Sequence, residues 1–274
     1  MIFFLCGRQA ATQSATHQRT GVQSDDNWQF MAGLSIDMVA AGGMEDGEGE
    51  VLELDPSLSF EALYKQIIGV SVELPVIARL GLSGPDSTGS SHAAALGDPS
   101  IAISCTFRAG DWRLGTELTY CHPLGIWNDY EANEKNIASG SGYRRIGATL
   151  SAVRYLDPLV AGLAASAETL FDRREKSGSM SLPLVLTASI FVTEALNSNV
   201  AISGGLSQRL AWPRRLNGIS IAEGYSHSLS GKLSIHFSEG AGTASFGLAK
   251  QLSDSLSPVV FSLEYSLRLG DKEG

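Results

Sequence analysis

Residues 224–237 run Gly-Tyr-Ser-His-Ser-Leu-Ser-Gly-Lys-Leu-Ser-Ile-His-Phe, and their alternation decides the fold. Tyr225, His227, Leu229, Gly231, Leu233, Ile235 and Phe237 fall on one face, and Ser226, Ser228, Ser230, Lys232, Ser234 and His236 on the other. A period of two belongs to a β-strand, whose successive side chains point to opposite sides. The two ends of the patterned region repeat it. Trp28, Phe30, Ala32, Leu34, Ile36, Met38 and Ala40 oppose Gln29, Gly33, Ser35 and Asp37. Val259, Phe261, Leu263, Tyr265, Leu267 and Leu269 oppose Ser262, Glu264, Ser266 and Arg268.

Soluble sheets alternate too, so the choice between water and lipid needs more. The polar face is small and hydrophilic throughout, as a wet interior requires. The apolar face recurs in strand after strand with almost no amphipathic helix to cover it, and an uncovered apolar sheet aggregates in water. A closed barrel in a bilayer resolves both, because closure pairs every backbone group. A spanning helix wants about twenty apolar residues. The longest candidate, Ser177–Thr193 between Lys176 and Glu194, contains Gly178 and Pro183, and its apolar residues alternate instead of running together.

Strands are expected at 27–39, 47–55, 61–82, 99–108, 112–124, 142–156, 159–173, 181–195, 198–211, 224–237, 241–252 and 258–269. Their connections alternate in length. Pro56–Ser59, Ala109–Asp111, Asp157–Pro158, Leu196–Asn197 and Ser238–Gly240 are tight. Ala40–Asp46, Ser83–Asp98, Gly125–Ser141, Arg174–Met180 and Trp212–Glu223 are longer, with Ser253–Ser257 a brief member of that set. Short turns on the periplasmic side and longer outer loops are the habit of outer-membrane barrels, and an even strand count puts both termini in the periplasm. The expected fold class is therefore all-β: a transmembrane antiparallel β-barrel of about 12 strands in the bacterial outer membrane. Residues 1–26 form either a flexible N-terminal segment or the remnant of a signal peptide, 27–269 the single barrel, and 270–274 a C-terminal tail.

Composition agrees and narrows the function. Gly supplies 30 of 274 residues, charged residues 18%, and the mean hydropathy is +0.05. The chain is apolar on average but never for long. A net charge of −9 with no basic run argues against nucleic acid as a partner. His17, His92, His122, His227 and His236 form no HxH or HExxH pair, so no metal or cofactor is expected. Ser226, Ser228 and Ser230 share a face with His236, the pairing a barrel esterase would use, but they lie on one strand, and no enzyme is expected. Cys6, Cys105 and Cys121 have no ligand spacing. Cys105 and Cys121 fall on neighbouring strands and are read either as a disulfide or as unpaired small apolar residues.

Residues 61–269 resemble the family of transporters of the MetA pathway of phenol degradation, itself similar to the long-chain fatty-acid (FadL-like) channels. The landmarks are Val-Glu-Leu-Pro-Val at 72–76, Leu-Gly-Asp-Pro-Ser-Ile-Ala-Ile-Ser at 96–104, His122-Pro123-Leu124-Gly125, Ser-Gly-Ser-Gly-Tyr at 139–143 and Tyr155-Leu156-Asp157-Pro158. Leu124 stands where the family usually has Thr. The end, Gly-Asp-Lys-Glu-Gly, lacks the terminal aromatic of barrels inserted by the outer-membrane assembly machinery, the nearest being Tyr265. The resemblance implies a passive channel or uptake transporter whose partners are the lipid bilayer, that machinery and small molecules, hydrophobic ones among them. It carries no catalytic motif.

In this register the candidate lumen-lining residues are Asp37, Glu73, Arg79, Arg113, Glu117, Arg145, Glu168, Arg209, Lys232, His236, Glu264 and Arg268, with Glu53 on the same face. They either line a permeation path or pair across a plugged interior, since a barrel of this size is narrow. Arg144 and Arg154 are the lipid-face exceptions, near strand ends where long side chains reach out to water. The alternative function is a structural or host-interaction barrel that binds partners through its extracellular loops. Gly125–Ser141 motivates it, with Trp127, Tyr130, Asp129, Glu131, Glu134 and Lys135.

Overall fold

The computed structural model describes residues 28–41, 51–81, 92–124, 143–175, 178–220, 224–254 and 257–269. The N-terminal segment with Cys6, the loop Gly125–Ser141 and the tail 270–274 lie outside the described residues. Fifteen strands account for nearly all of the rest: β1 (Trp28–Ala41), β2 (Val51–Tyr64), β3 (Ile68–Gly81), β4 (His92–Leu96), β5 (Ser100–Ala109), β6 (Trp112–Cys121), β7 (Arg145–Leu156), β8 (Leu159–Glu175), β9 (Gly178–Ala195), β10 (Val200–Ala211), β11 (Arg215–Leu216), β12 (Ile219–Ser220), β13 (Ser226–Glu239), β14 (Gly242–Gln251) and β15 (Val259–Leu269).

Twelve of them close a ring. Each long strand pairs antiparallel with its neighbours in chain order, and β15 returns to pair with β1, Leu34 opposite Tyr265 and Asp37 opposite Ser262. β9–β10 and β10–β13 complete the circuit. Closure leaves no edge among these strands, so the backbone groups are satisfied within the wall, the condition for crossing hydrocarbon. The three remaining strands are short: β4 pairs with β3, and β11 and β12 form a small hairpin against β9.

The termini of the ring, Trp28 and Leu269, share one end with the turns at Lys65–Ile67, Gly110–Asp111, Asp157–Pro158, Leu196–Asn199 and Gly240–Ala241. The alternation of tight and long connections therefore holds, with four corrections. Pro56–Ser59 is not a turn but the middle of β2, and the hairpin closes at Lys65 and Gln66, both at positive φ. Part of Ser83–Asp98 is the strand β4. Arg174–Met180 shrinks, because β8 runs to Glu175 and β9 starts at Gly178. Trp212–Glu223 holds the β11–β12 hairpin, turned at Asn217–Gly218, both with positive φ. That Asn-Gly pair is the strongest short-range hairpin signal in the segment. The Asn217 side-chain oxygen also accepts the Ser179 N–H at 2.8 Å, tying the hairpin to β9.

The outer surface is apolar in every long strand. Leu34, Phe60, Val72, Ile103, Leu118, Leu150, Leu163, Ile190, Leu206, Leu233, Phe246 and Phe261 are all exposed. Aromatic rings mark both ends of this band. Trp28 packs on Tyr64 at 5.0 Å near the short turns, while Trp212 meets Tyr225 edge-on at 5.1 Å at the opposite end. An apolar belt between aromatic girdles is the lipid-facing surface of an outer-membrane barrel. Arg154 obeys the same logic. It sits three residues from the short-turn end, over the Trp112 ring at 5.7 Å and 3.9 Å from the Asp111 carboxylate.

Candidate functional site

Opposite the belt, the interior face is built from Ser, Thr, Gly and charged residues. The alternation that sends Leu233 out leaves Ser234 facing in, and the exposures show it: 63% for Leu233 against 5% for Ser234. All twelve sequence-predicted residues occupy the inward parity of their strands. Asp37 is on β1, Glu73 and Arg79 on β3, Arg113 and Glu117 on β6, Arg145 on β7 and Glu168 on β8. Arg209 is on β10, Lys232 and His236 on β13, and Glu264 and Arg268 on β15. Arg79 is opposite Glu53 in the β2–β3 ladder.

Several of them meet. The Arg145 guanidinium lies 3.4 Å from the Glu168 carboxylate and 2.9 Å from the Cys121 sulfur. Lys232 is 3.8 Å from Glu264, which also accepts a bond from the Ser245 hydroxyl at 3.4 Å. The His236 Nε2 shares a 2.7 Å hydrogen bond with the buried Ser203 hydroxyl. Glu73 accepts from Ser57, whose hydroxyl also bonds Ser35, both at 2.9 Å. Glu117 accepts from Thr119 at 3.2 Å. Arg113 and Arg209 lie on β6 and β10, outside these contacts.

These contacts share a geometry: each joins residues on one strand or on adjacent strands around the wall, except Lys232–Glu264, which steps over β14. Held this way, these polar side chains coat the wall. Two apolar clusters interrupt the coat on the β7–β10 side. Tyr143, Leu170, Val185 and Ala211 pack together toward the long-loop end, and Val153 and Phe191 with Tyr155 and Val160 toward the short-turn end. Thr149, Ser151, Ser166, Thr187, Ser189 and Ser207 lie on the interior parity between them.

Sequence reasoning missed Asp55 and Glu61, because a turn was expected inside β2. Asp55 lies opposite Asp37, and Glu61 opposite Met31 and Ser71. The signal was present: Glu53, Asp55, Ser57, Ser59 and Glu61 alternate with Leu54, Leu58, Phe60 and Ala62 straight through Pro56. Of the two readings of Cys105 and Cys121, a disulfide or unpaired small residues, the structure agrees with the second. Both thiols are free, Cys105 on the lipid face and Cys121 buried inside, with Cys105 opposite Thr116 and Cys121 opposite Ser100. Two thiols on opposite faces of the wall cannot bridge.

No protein-family model and no curated protein matches the sequence. Solved structures do match the fold. The COG4313 outer membrane channel from Pseudomonas putida F1 overlays with a TM-score of 0.71 at 11% identity, covering 90% of this chain and 97% of that one. The KdgM porin, solved with disordered oligogalacturonate, gives 0.48 at 8% identity over 85% and 98% of the two chains. The Pseudomonas putida toluene transporter TodX gives 0.42 at 10% identity over 89% and 90%. The first overlay establishes a shared fold and nothing finer, and the other two are too low to argue from. Closed ring, lipid belt and that overlay agree: the chain is a twelve-stranded β-barrel of the bacterial outer membrane.

Proposed function

We propose that the protein is a passive channel or uptake transporter for small molecules, including ones with an apolar part. The observation that carries this reading is the polar interior, where hydroxyl and charged side chains such as Ser35–Ser57–Glu73, Arg145–Glu168 and Ser203–His236 bond along the wall. An interior of this polarity can be wetted, as a permeation path requires. The order of the landmarks at 72–76, 96–104, 122–125, 139–143 and 155–158 supports placement among the transporters of the MetA pathway of phenol degradation. Binding of host partners through Gly125–Ser141 involves a loop outside the described residues and draws no support from the barrel itself.

Planar-bilayer recording tests the proposal. Refolded protein should give discrete ohmic steps, and liposomes carrying it should swell in small uncharged solutes. A folded, heat-modifiable barrel that conducts no ions and admits no solute would overturn it.

A further inference from the structure

One part of the lipid-facing surface is not convex. Across β9, β10, β13 and β14 the belt sinks into a groove of about 570 Å³, walled by Ile190, Val192, Leu206, Leu233, Leu248 and Leu252. That volume lies in the ~300–1,000 Å³ range of small-molecule sites. Two adjacent rows of the wall explain it. Val192, Gly204, Leu233 and Leu248 are successive cross-strand partners in one row, and Ile190, Leu206, Gly231, Lys250 and Val259 in the next. Each row has a glycine where its neighbours carry outward side chains, and the two glycines lie diagonally to one another. Neither glycine is demanded by the backbone. A Cβ at Gly204 would meet only Leu233, at 3.4 Å, and one at Gly231 would meet Leu252 and Leu206 at 3.4 Å and above. A Cβ at either would make only ordinary van der Waals contact, so both positions have room for one, and they face lipid.

Lys250 lines the groove toward its outer end. It is the second-last residue of β14, shares the parity of the exposed Phe246 and Leu248, and stands directly opposite Gly231. A lysine on the lipid side is tolerated near the interface, where its stem lies along apolar surface and its ammonium reaches the headgroups.

We propose that this groove holds one acyl chain of an outer-leaflet lipid whose headgroup carries a net negative charge, with the lipid phosphate on Lys250. The location selects the occupant: a cavity in the belt is filled by hydrocarbon, and Lys250 on its lipid side selects an anionic headgroup, the other lysine of the lining, Lys232, being turned inward and 3.8 Å from Glu264. The inference rests on the barrel and its register and is independent of the channel reading.

Native mass spectrometry of delipidated protein titrated with phosphatidylglycerol or phosphatidylcholine tests it. One phosphatidylglycerol should be retained about fivefold more strongly than phosphatidylcholine, the ratio expected from one lysine–phosphate contact at a membrane surface. Lys250→Gln should abolish the preference and leave residual binding of both lipids. Gly231→Leu should reduce retention of both, and Gly231→Ala, a smaller change, should do so partially. Heat-modifiable gel migration confirms folding of each variant. Equal retention of the two lipids by the native chain, or a preference that survives Lys250→Gln, would overturn the proposal, as would full retention in folded Gly231→Leu.

Discussion

Arginine placed at Leu233 and at Ser189 puts the same charge on the two sides of the wall at one level. Leu233 lies seven residues above the Gly240 turn and Ser189 seven above Leu196. At a rise of about 3.3 Å per residue and a tilt of about 40°, both stand roughly 18 Å above their turns, within the apolar band. Leu233 is 63% exposed on the outside, so its arginine enters hydrocarbon and costs about 2–4 kcal/mol near the midplane. In equilibrium terms that is roughly 30- to 1000-fold toward the unfolded state. Ser189 faces inward between Ala164 and Ser207, small partners on an interior that already holds Lys232 and Arg209 at comparable levels. Its arginine has water and carboxylates to meet and should cost little. Ser234, though also inward, is a poorer control. It is 5% exposed, opposite Ser203 and close over Gly247, so an arginine there overpacks the wall whatever its polarity. Denaturant midpoints of the two variants in lipid vesicles measure the contrast. Equal tolerance would remove the lipid-facing strand, and the opposite ranking would invert the register, since a slip of one residue exchanges the faces.

Three further outcomes are expected. Gly162→Val should destabilise the barrel by about 1–3 kcal/mol, because a Cβ at Gly162 runs into the Phe191 ring. Adding Phe191→Ala should recover part of that loss in refolding titrations, and a neutral single variant would refute the contact. Arg209→Glu reverses an interior charge, so the reversal potential in a salt gradient should move toward cation selectivity. An unchanged potential in a conducting variant would place Arg209 off the ion path. Reducing agent should leave unfolding midpoints unchanged, since Cys105 and Cys121 are both free, whereas a downward shift would show a bond.

What the sequence made legible is what period two encodes. Strand number and the side of the short turns follow from local alternation, and closure follows because, among the described residues, no helix covers the apolar face. The β2–β3 hairpin was illegible for a physical reason. Pro56 reads as a turn because a proline inside a sheet removes a ladder donor. In the barrel the loss is absorbed: the β2–β3 pairing runs Glu53–Arg79 and Leu54–Ala78, pauses, and resumes at Ser57–Pro75. Pro56 lies in that gap and Pro75 at its edge, so one interruption serves both residues without an N–H. The real turn uses Lys65 and Gln66, residues with no preference for the left-handed backbone they adopt. Pairs such as Ser203–His236 were equally hidden, since they depend on how strands 33 residues apart are aligned.

The break after β4 shows how one extra residue can erase a strand from a sequence pattern. β3 pairs Val76 with Leu96 but Glu73 with Ser100, so the partner strand gains one residue between those pairs, at Gly97–Pro99. Such a bulge shifts the parity: Ala94 and Leu96 are exposed on β4, while Ala102 on β5 is buried. Read as a single period-two run, residues 92–104 cancel themselves, and a loop was the natural expectation for their first half. The bulge is nonetheless held on both sides. The Gly97 N–H donates to the Pro75 carbonyl at 2.8 Å, the His122 N–H to the Pro99 carbonyl at 3.0 Å, and the Cys121 thiol to the Asp98 carbonyl at 3.6 Å. Pro75, Gly97–Pro99 and His122 each belong to a different landmark of the transporter resemblance, separated in the chain by some twenty residues each. Gly-Asp-Pro and Leu-Pro-Val look like loose punctuation in sequence because their partners are remote. In the wall they are adjacent parts of one bulge, each residue type fixed by a donor that is missing or a backbone that must bend.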